Sequence, residues 1–211
     1  MKNLCLGLLV VMMAASASLA RAQEREHDGF MLRFTGGVGY GSVSEEVDDP
    51  SLNAPFSEWG ISGPGVAFSI DVGAAPIPNF VLHARFGAMV VSSPTIEFDG
   101  MEADLDEVYG QDNSSLTFIL LGPAATYYIA PANIYLTAAV GLGLVGVRLG
   151  DNRGRTDPGW AFNFDAGWEA WVGQSWGMGP ALRVFYTSVP DAQDLTVSGG
   201  GFAILFSATF Q

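Results

Sequence analysis

The chain has 211 residues, of which 49% are hydrophobic and 15% charged, whereas an ordinary soluble domain carries about 25% charged residues. Asp and Glu number 22 against 9 Lys and Arg, for a net charge of -13, which excludes a nucleic-acid binder working through a basic face. Past the first two dozen residues there is no run of about 18 apolar residues, which excludes a helical membrane protein. A secreted or membrane β-protein remains.

Met1-Lys2-Asn3 is a short basic start, Leu4 to Ala15 an apolar stretch, and Ala20-Arg21-Ala22 places small residues where a signal peptidase reads. Residues 1–22 are therefore predicted to be a secretory signal peptide cleaved after Ala22, the apolar stretch being short for an anchor. Cys5 is the only cysteine and Lys2 the only lysine. The mature chain then has no thiol, disulfide or thiolate metal site, and arginine is its only cationic side chain of high pKa. Residues 23–29 form a short, flexible periplasmic stretch containing His27, and residues 30–211 the folded domain.

From residue 30 the chain alternates with the period of two that a strand between lipid and lumen requires. Phe30, Leu32, Phe34, Val38 and Tyr40 oppose Arg33, Thr35 and three glycines in 30–42. Val66, Phe68, Ile70 and Val72 oppose Ser69 and Asp71 in 66–74; Phe80, Leu82 and Phe86 oppose His83 and Arg85 in 80–91. The pattern recurs in 134–147, in 160–172 with Asn163, Asp165 and Glu169 on the polar parity, in 180–188 with Arg183, and in 202–210. The segment 116–128 is less regular. Leu116, Phe118 and Leu120 share a parity but Ile119 and Leu121 occupy the other, and Pro123 cannot donate to a ladder. It is read as a strand because the segment at 134 needs a partner, and its register is left open.

Eight strands result, an even number that suits a closed antiparallel transmembrane β-barrel. Closure leaves no unpaired backbone edge in lipid. Three connections are short (75–79, 130–133 and 173–177), and four are mostly longer and polar (about 43–63, 92–115, 149–159 and 189–199). Sixteen acidic residues fall in the four polar loops, three precede the first strand, and Asp71, Asp165 and Glu169 lie on strands at lumen parity. A secreted lipocalin-like barrel is the soluble alternative. Its outer parity would be about a quarter to a third charged, whereas the second parity here is mostly Gly, Ala, Ser and Thr.

With these features the chain resembles the eight-stranded outer-membrane barrels of bacteria, the group that includes OmpX and the membrane domain of OmpA. The resemblance covers the whole mature chain and rests on the alternation, the turn and loop asymmetry, the Pro and Asn residues of the tight turns, and the end Phe202-Ala203-Ile204-Leu205-Phe206-Ser207-Ala208-Thr209-Phe210. It implies residence in the outer membrane, contact with its lipid and lipopolysaccharide, and insertion by the barrel-assembly machinery, which reads a terminal aromatic. Phe206 and Phe210 are the candidate assembly signal, although Gln211 and not an aromatic stands last. No second domain follows, so peptidoglycan binding of the OmpA kind is not implied.

Lumen-parity ionisable residues are Arg33, Asp71, His83, Arg85, Asp165, Glu169 and Arg183. If the turn after the second strand centres on Ile77, Asp71 faces His83 and Ser69 faces Arg85. If the turn after the sixth centres on Gln174, Asp165 faces Arg183. Three arginines against three carboxylates suit a structural network that fills a narrow interior; a gated ion path through the same residues is the alternative. Catalysis would need a Ser/His/carboxylate site, and Ser69, His83 and Asp71 all fall inside the barrel, away from lipid. The protein is expected not to be an enzyme, and to hold no cofactor and no metal.

Glu97, Asp99, Glu102, Asp104, Asp106 and Glu107 make the densest acidic run and could bind a divalent cation through clustered hard oxygens, but they lack the glycine-marked order of a calcium loop. A solvated acidic face is preferred, and divalent bridging to lipopolysaccharide is a third option. Arg153 and Arg155 in the third loop could touch lipid phosphates. Trp176, Tyr128 and Tyr135 beside short turns, and Tyr40, Trp160 and Tyr186 near long loops, are assigned to the two interfacial girdles. The expected role is structural or surface-interactive, in a monomer. A narrow pore or a conduit for a small hydrophobic ligand is the alternative.

Overall fold

The computed structural model describes residues 26–46, 58–98, 101–109, 113–190 and 196–211. The expected signal peptide, residues 1–22, lies outside them, as do Asp99 and Asp112. In chain order the elements are β1 (Gly29–Glu46), β2 (Glu58–Ile77), β3 (Phe80–Ser92), β4 (Thr95–Phe98), β5 (Met101–Asp104), α1 (Leu105–Tyr109), β6 (Ser115–Ile129), β7 (Ile134–Leu149), β8 (Asn152–Arg155), β9 (Gly159–Trp168), β10 (Ala170–Val172), β11 (Trp176–Pro190) and β12 (Thr196–Phe210). β10 carries β9 onward after a break at Glu169. The ring β1-β12-β11-β9-β7-β6-β3-β2 closes through the β1–β2 pairing, so eight antiparallel staves leave no open edge. β4, β5 and β8 lie at the long-loop end.

The outer surface is apolar. Val38 (65% exposed), Leu182 (60%) and Ile204 (59%) stand out from their strands, and Phe34, Phe86, Phe164 and Phe206 are exposed with them. A water-facing surface does not carry such a continuous band. A barrel wall in hydrocarbon does.

The interior has two zones. Toward the long loops it is apolar: Val43, Ile61, Val91, Leu116, Phe118, Val145, Val189 and Val197 pack together. Ile96 of β4 and Leu105 of α1 join this cluster, so the second long loop folds over part of the mouth. Toward the short turns the interior is mostly polar and charged, with Met31 and Val81 buried among these groups. The apolar zone settles the register of 116–128. Pairing with β3 sets Met89 opposite Phe118 and Gly87 opposite Leu120, so Leu116, Phe118 and Leu120 point inward. Leu120 is 3% exposed and Leu121 is 53% exposed on the lipid face. Both parities of this strand meet hydrophobic surroundings, one lipid and one protein, so hydrophobicity alone could not separate them.

Pro123 interrupts the β6–β7 ladder as its chemistry requires: the pairing runs to Leu121↔Leu142 and resumes at Ala124↔Ala139. The backbones close up there, and a Cβ on Gly122 would collide with the Val140 carbonyl oxygen and the Gly141 backbone. The turn between β2 and β3 also differs from expectation. Asp71 pairs with Arg85, Gly73 with His83 and Ser69 with Gly87. The reason is a tight turn at Pro78-Asn79, with Asn79 at φ 64° and a register irregularity between Ala74 and Ile77. That turn lies one position later than a centre at Ile77. Asp165 and Arg183 are partners across β9 and β11.

Candidate functional site

The lumen residues are fixed by strands, not loops. β2, β3, β9 and β11 each carry one charge of an alternating chain across the barrel. Arg85 makes a two-pronged contact with Asp71, Nε to Oδ1 and Nη2 to Oδ2, each 2.7 Å. Its Nη1 lies 2.8 Å from Asp165 Oδ2. Arg183 grips Asp165 from the other side, with Nε 2.8 Å from Oδ1 and Nη2 2.9 Å from Oδ2. Arg183 Nη2 also donates to Ser69 Oγ at 3.0 Å, and Ser69 shares a 2.8 Å hydrogen bond with Thr35. Arginine's planar fork suits such paired contacts.

Nearer the short turns, Arg33 donates through Nε to Thr209 at 2.9 Å, through Nη1 to Thr137 at 3.1 Å, and through Nη2 to Tyr128 Oη. Its guanidinium lies 4.0 Å from the centre of the Tyr135 ring, a cation–π contact in a dry site. Glu169 Oε1 is 3.7 Å from Arg33 Nε and accepts from Ser207 and Thr209 at 2.7 and 2.6 Å. His83 Nε2 bonds Thr126 at 2.9 Å, and its Nδ1 lies 3.9 Å from Asp71. Among the described residues the lumen holds three arginines against three carboxylates, so the interior is balanced apart from the state of His83. Arg33, Asp71, Arg85 and Asp165 have no exposed surface. A small void of about 20 Å³ touches Asn163, Arg183, Phe118 and Phe185, room for about one water.

The end facing the short turns is capped. His27, expected in a flexible stretch, is instead 2% exposed. Its backbone exchanges two hydrogen bonds with Asn79: His27 N donates to Oδ1 at 3.1 Å, and Asn79 N donates to the His27 carbonyl at 2.9 Å. Its ring Nε2 bonds Asn133 Oδ1 at 2.6 Å, and its Nδ1 contacts the Gln211 side-chain amide. Asn133 Nδ2 in turn donates to the Glu169 carbonyl at 2.6 Å. The ring stacks on Tyr128 at 3.4 Å between centroids and on Trp171 at 5.1 Å. Burial pushes the His27 pKa below its usual 6.5, against hydrogen bonds from Gln211 and Asn133 that raise it.

Two girdle assignments are corrected by the same geometry. Tyr128 (1% exposed) and Tyr135 (0%) lie inside the barrel, and Tyr127 is the exposed residue of its pair. Tyr135 shares the parity of Thr137, which points into the lumen, and Tyr128 is carried inward with Leu116. Trp160 and Tyr186 remain on the outer surface with ring centroids 5.3 Å apart, Tyr40 is exposed, and Trp176 packs against Phe210 at 5.5 Å. Phe206 is outward-facing.

Of the acidic run, Glu97 and Glu102 face each other across β4 and β5. Asp104 Oδ1 accepts from Asp106 N, and Asp106 Oδ1 from Ser114 N, both at 2.9 Å. The Ser114 hydrogen bonds hold the Asp106 carboxyl below its usual pKa. Glu107 is exposed. Among the described residues no group of three or more His, Cys, Asp or Glu is placed to hold a metal ion. Ser69 bonds Thr35 and Arg183 and His83 bonds Thr126, so these two do not pair with each other as a nucleophile and its base would. At the opposite end from the cap, a cavity of about 220 Å³ is bordered by Val43, Trp59, Val145, Val147, Val197, Gly154, Arg155 and Thr156.

Fold and interior together define a closed eight-stranded antiparallel transmembrane barrel with a filled, charge-balanced lumen. Among solved structures the chain is similar to Neisserial surface protein A, at 14% identity and a TM-score of 0.53 over 87% of this chain and 98% of that one. It is also matched to the outer-membrane protein OprG of Pseudomonas aeruginosa, at 9% identity and a TM-score of 0.47 over 88% and 98% of the two chains. At these identities the likeness concerns the fold. No family model and no curated protein matches the chain.

Proposed function

We propose that this is an integral outer-membrane protein of bacteria, of the broad OmpX and OmpA-membrane-domain type, whose role is structural and surface-interactive: membrane integrity, and adhesion through the acidic loops. In this reading residues 1–22 are a cleaved signal peptide and residues 23–29 a periplasmic lead-in. The barrel-assembly machinery reads Phe206 and Phe210, and the barrel works as a monomer among outer-membrane lipid and lipopolysaccharide. The observation that carries the reading is the closed interior. Arg33, Asp71, Arg85, Asp165, Glu169 and Arg183 bind one another across the lumen with almost no exposed surface, and His27 covers the periplasmic end. A chain so arranged leaves its outward loops as the part that meets other molecules. Wild-type protein refolded into a planar bilayer is expected to be electrically silent at neutral pH. Steady cation-selective steps that change in Arg85→Ala would replace this reading by the pore.

One observation favours a second reading. The mouth cavity of about 220 Å³ is bordered by four valines and Trp59 on one part of its wall, which suits uptake of a small hydrophobic ligand from outside. Onward passage would then have to avoid the charged layers beneath it. Transfer of a fluorescent fatty acid into proteoliposomes, no faster than into protein-free vesicles, would reject this route.

A further inference from the structure

Among the described residues every arginine outside the lumen lies on one hairpin, β7–β8. Arg148 is the cross-strand partner of Arg153, and Arg155 is the partner of Gly146. Arg153 and Arg155 are two positions apart, so all three belong to one face. It is the face that continues the lipid-side parity of Val140 and Leu142, both exposed. The neighbouring strand adds Ser115 opposite Arg148 and Thr117 opposite Gly146. No carboxylate of the described residues occupies these paired positions; Asp151 sits in the turn and Asp157 beyond β8. Arg148 Nε donates to the Gly150 carbonyl at 2.9 Å, tying that side chain to its own turn. All three arginines are exposed, and Arg155 also borders the mouth cavity.

Like charges directly opposite one another weaken a β pair, and here they occur in a chain with net charge -13. An arrangement that costs stability alone is relieved by an anion between the two guanidiniums. The height of the patch identifies the anion. Trp160 stands level with Leu142, four positions below Gly146 and six below Arg148. At about 3.3 Å per residue and a strand tilt of about 40°, the patch lies roughly 10–15 Å above that girdle residue. Glycerophospholipid phosphates sit near the girdle, whereas the phosphorylated sugars of lipopolysaccharide extend through this higher layer.

We propose that Arg148, Arg153 and Arg155, flanked by Ser115 and Thr117, form a lipopolysaccharide-binding site that takes phosphate groups of the saccharide headgroup on the lipid-facing side of the β7–β8 hairpin. The site rests on the outer-membrane reading. It differs from it in test, because a silent barrel in lipid satisfies that reading whether or not this patch binds anything.

The test uses folded protein in zwitterionic micelles, titrated with phosphorylated rough lipopolysaccharide, with the same material after phosphatase treatment, and with phosphatidylglycerol. A chelator present throughout removes divalent bridging to the acidic loops. The parent is expected to bind the phosphorylated form at least tenfold more tightly than the other two, with the preference falling as salt rises. R148Q/R153Q/R155Q should lose the preference, and the corresponding triple lysine variant should keep part of it because charge remains while the paired donors are gone. Arg153→Gln alone guards against a folding artefact. It removes the like-charged pair, so it should unfold in lipopolysaccharide-free lipid at the same or a higher urea concentration while binding several-fold more weakly. An undiminished preference in the triple glutamine variant would overturn the site. So would equal binding of phosphatidylglycerol, equal binding of the dephosphorylated form, or a loss of stability in Arg153→Gln.

Discussion

Asp165 is the residue on which the interior charge chain turns, and Asp165→Asn is the sharpest test of it. The carboxylate holds Arg85 on one side and Arg183 on the other through contacts of 2.8, 2.8 and 2.9 Å. Asparagine keeps the shape, removes the negative charge, leaves Arg85 with Asp71 alone and leaves the buried Arg183 with no carboxylate, only the hydroxyls of Ser69 and Thr35. Removing one partner from a buried pair typically costs about 3–5 kcal/mol, because the cation left behind cannot return to water. Two cations depend on this carboxylate, so the upper part of that range applies. Asp165→Asn with Arg183→Gln restores the balance and should recover most of the loss. Urea unfolding in lipid vesicles, followed by tryptophan emission and by heat-dependent gel mobility, gives both values and their coupling. A single-variant cost below about 1 kcal/mol would match an exposed ion pair and would refute a dry, mutually dependent network. A double variant no more stable than the single would refute charge balance as its basis.

The His27 cap predicts a pH dependence. Burial holds its pKa below 6.5 in the native state, so the unfolded chain binds the proton first. Urea midpoints should be highest above pH 6.5 and decline as pH falls from there toward the lowered native value, and His27→Phe should flatten that decline. For the corrected register, cysteines introduced singly and labelled with a fluorophore should be quenched by a lipid-phase quencher at residue 121 and not at residue 120. Gly122→Ala sets a methyl group against the Val140 carbonyl and the Gly141 backbone. A cost of at least about 1–3 kcal/mol in urea unfolding is expected, and an unchanged midpoint would mean the two strands are not in close contact there.

Much of this architecture was readable because a transmembrane stave answers to two solvents. Where one face meets lipid and the other meets Arg33, Asp71 or Asp165, the period of two is unmistakable, and it marks seven of the eight staves; the eighth, 116–128, follows only from the need of the segment at 134 for a partner. The alternation fades where the lumen turns apolar. Phe118 packs inside against Phe185, with centroids 5.2 Å apart, while Leu121 faces lipid, and the sequence offers the same kind of side chain to both. The partner of Asp71 is Arg85 and not His83, two residues on, because a tight turn at an asparagine of φ 64° moves the centre of the hairpin by one position. The cap lay furthest from view. His27 meets residues 52, 106 and 184 positions away, two of them turn asparagines and one the terminal Gln211. No local pattern announces a contact assembled from three ends of the chain.

The placement of charge explains why the outside carries the interesting chemistry. Inside, Arg33, Arg85 and Arg183 are matched to Asp71, Asp165 and Glu169, and such pairs in a dry space mainly satisfy each other. Apart from those, the acidic residues fall in the long loops and in the stretch ahead of β1, while the remaining described arginines gather at β7–β8. Had the hairpin only to stay soluble, Arg148 and Arg153 would be better replaced by a pair of opposite sign, as Asp165 and Arg183 are in the lumen. Their juxtaposition above a surface that is otherwise Leu, Val and Phe makes sense if that surface is embedded in an anionic glycolipid. The acidic loops must then stand clear of the same glycolipid or meet it through divalent cations, whereas the arginine face approaches it directly.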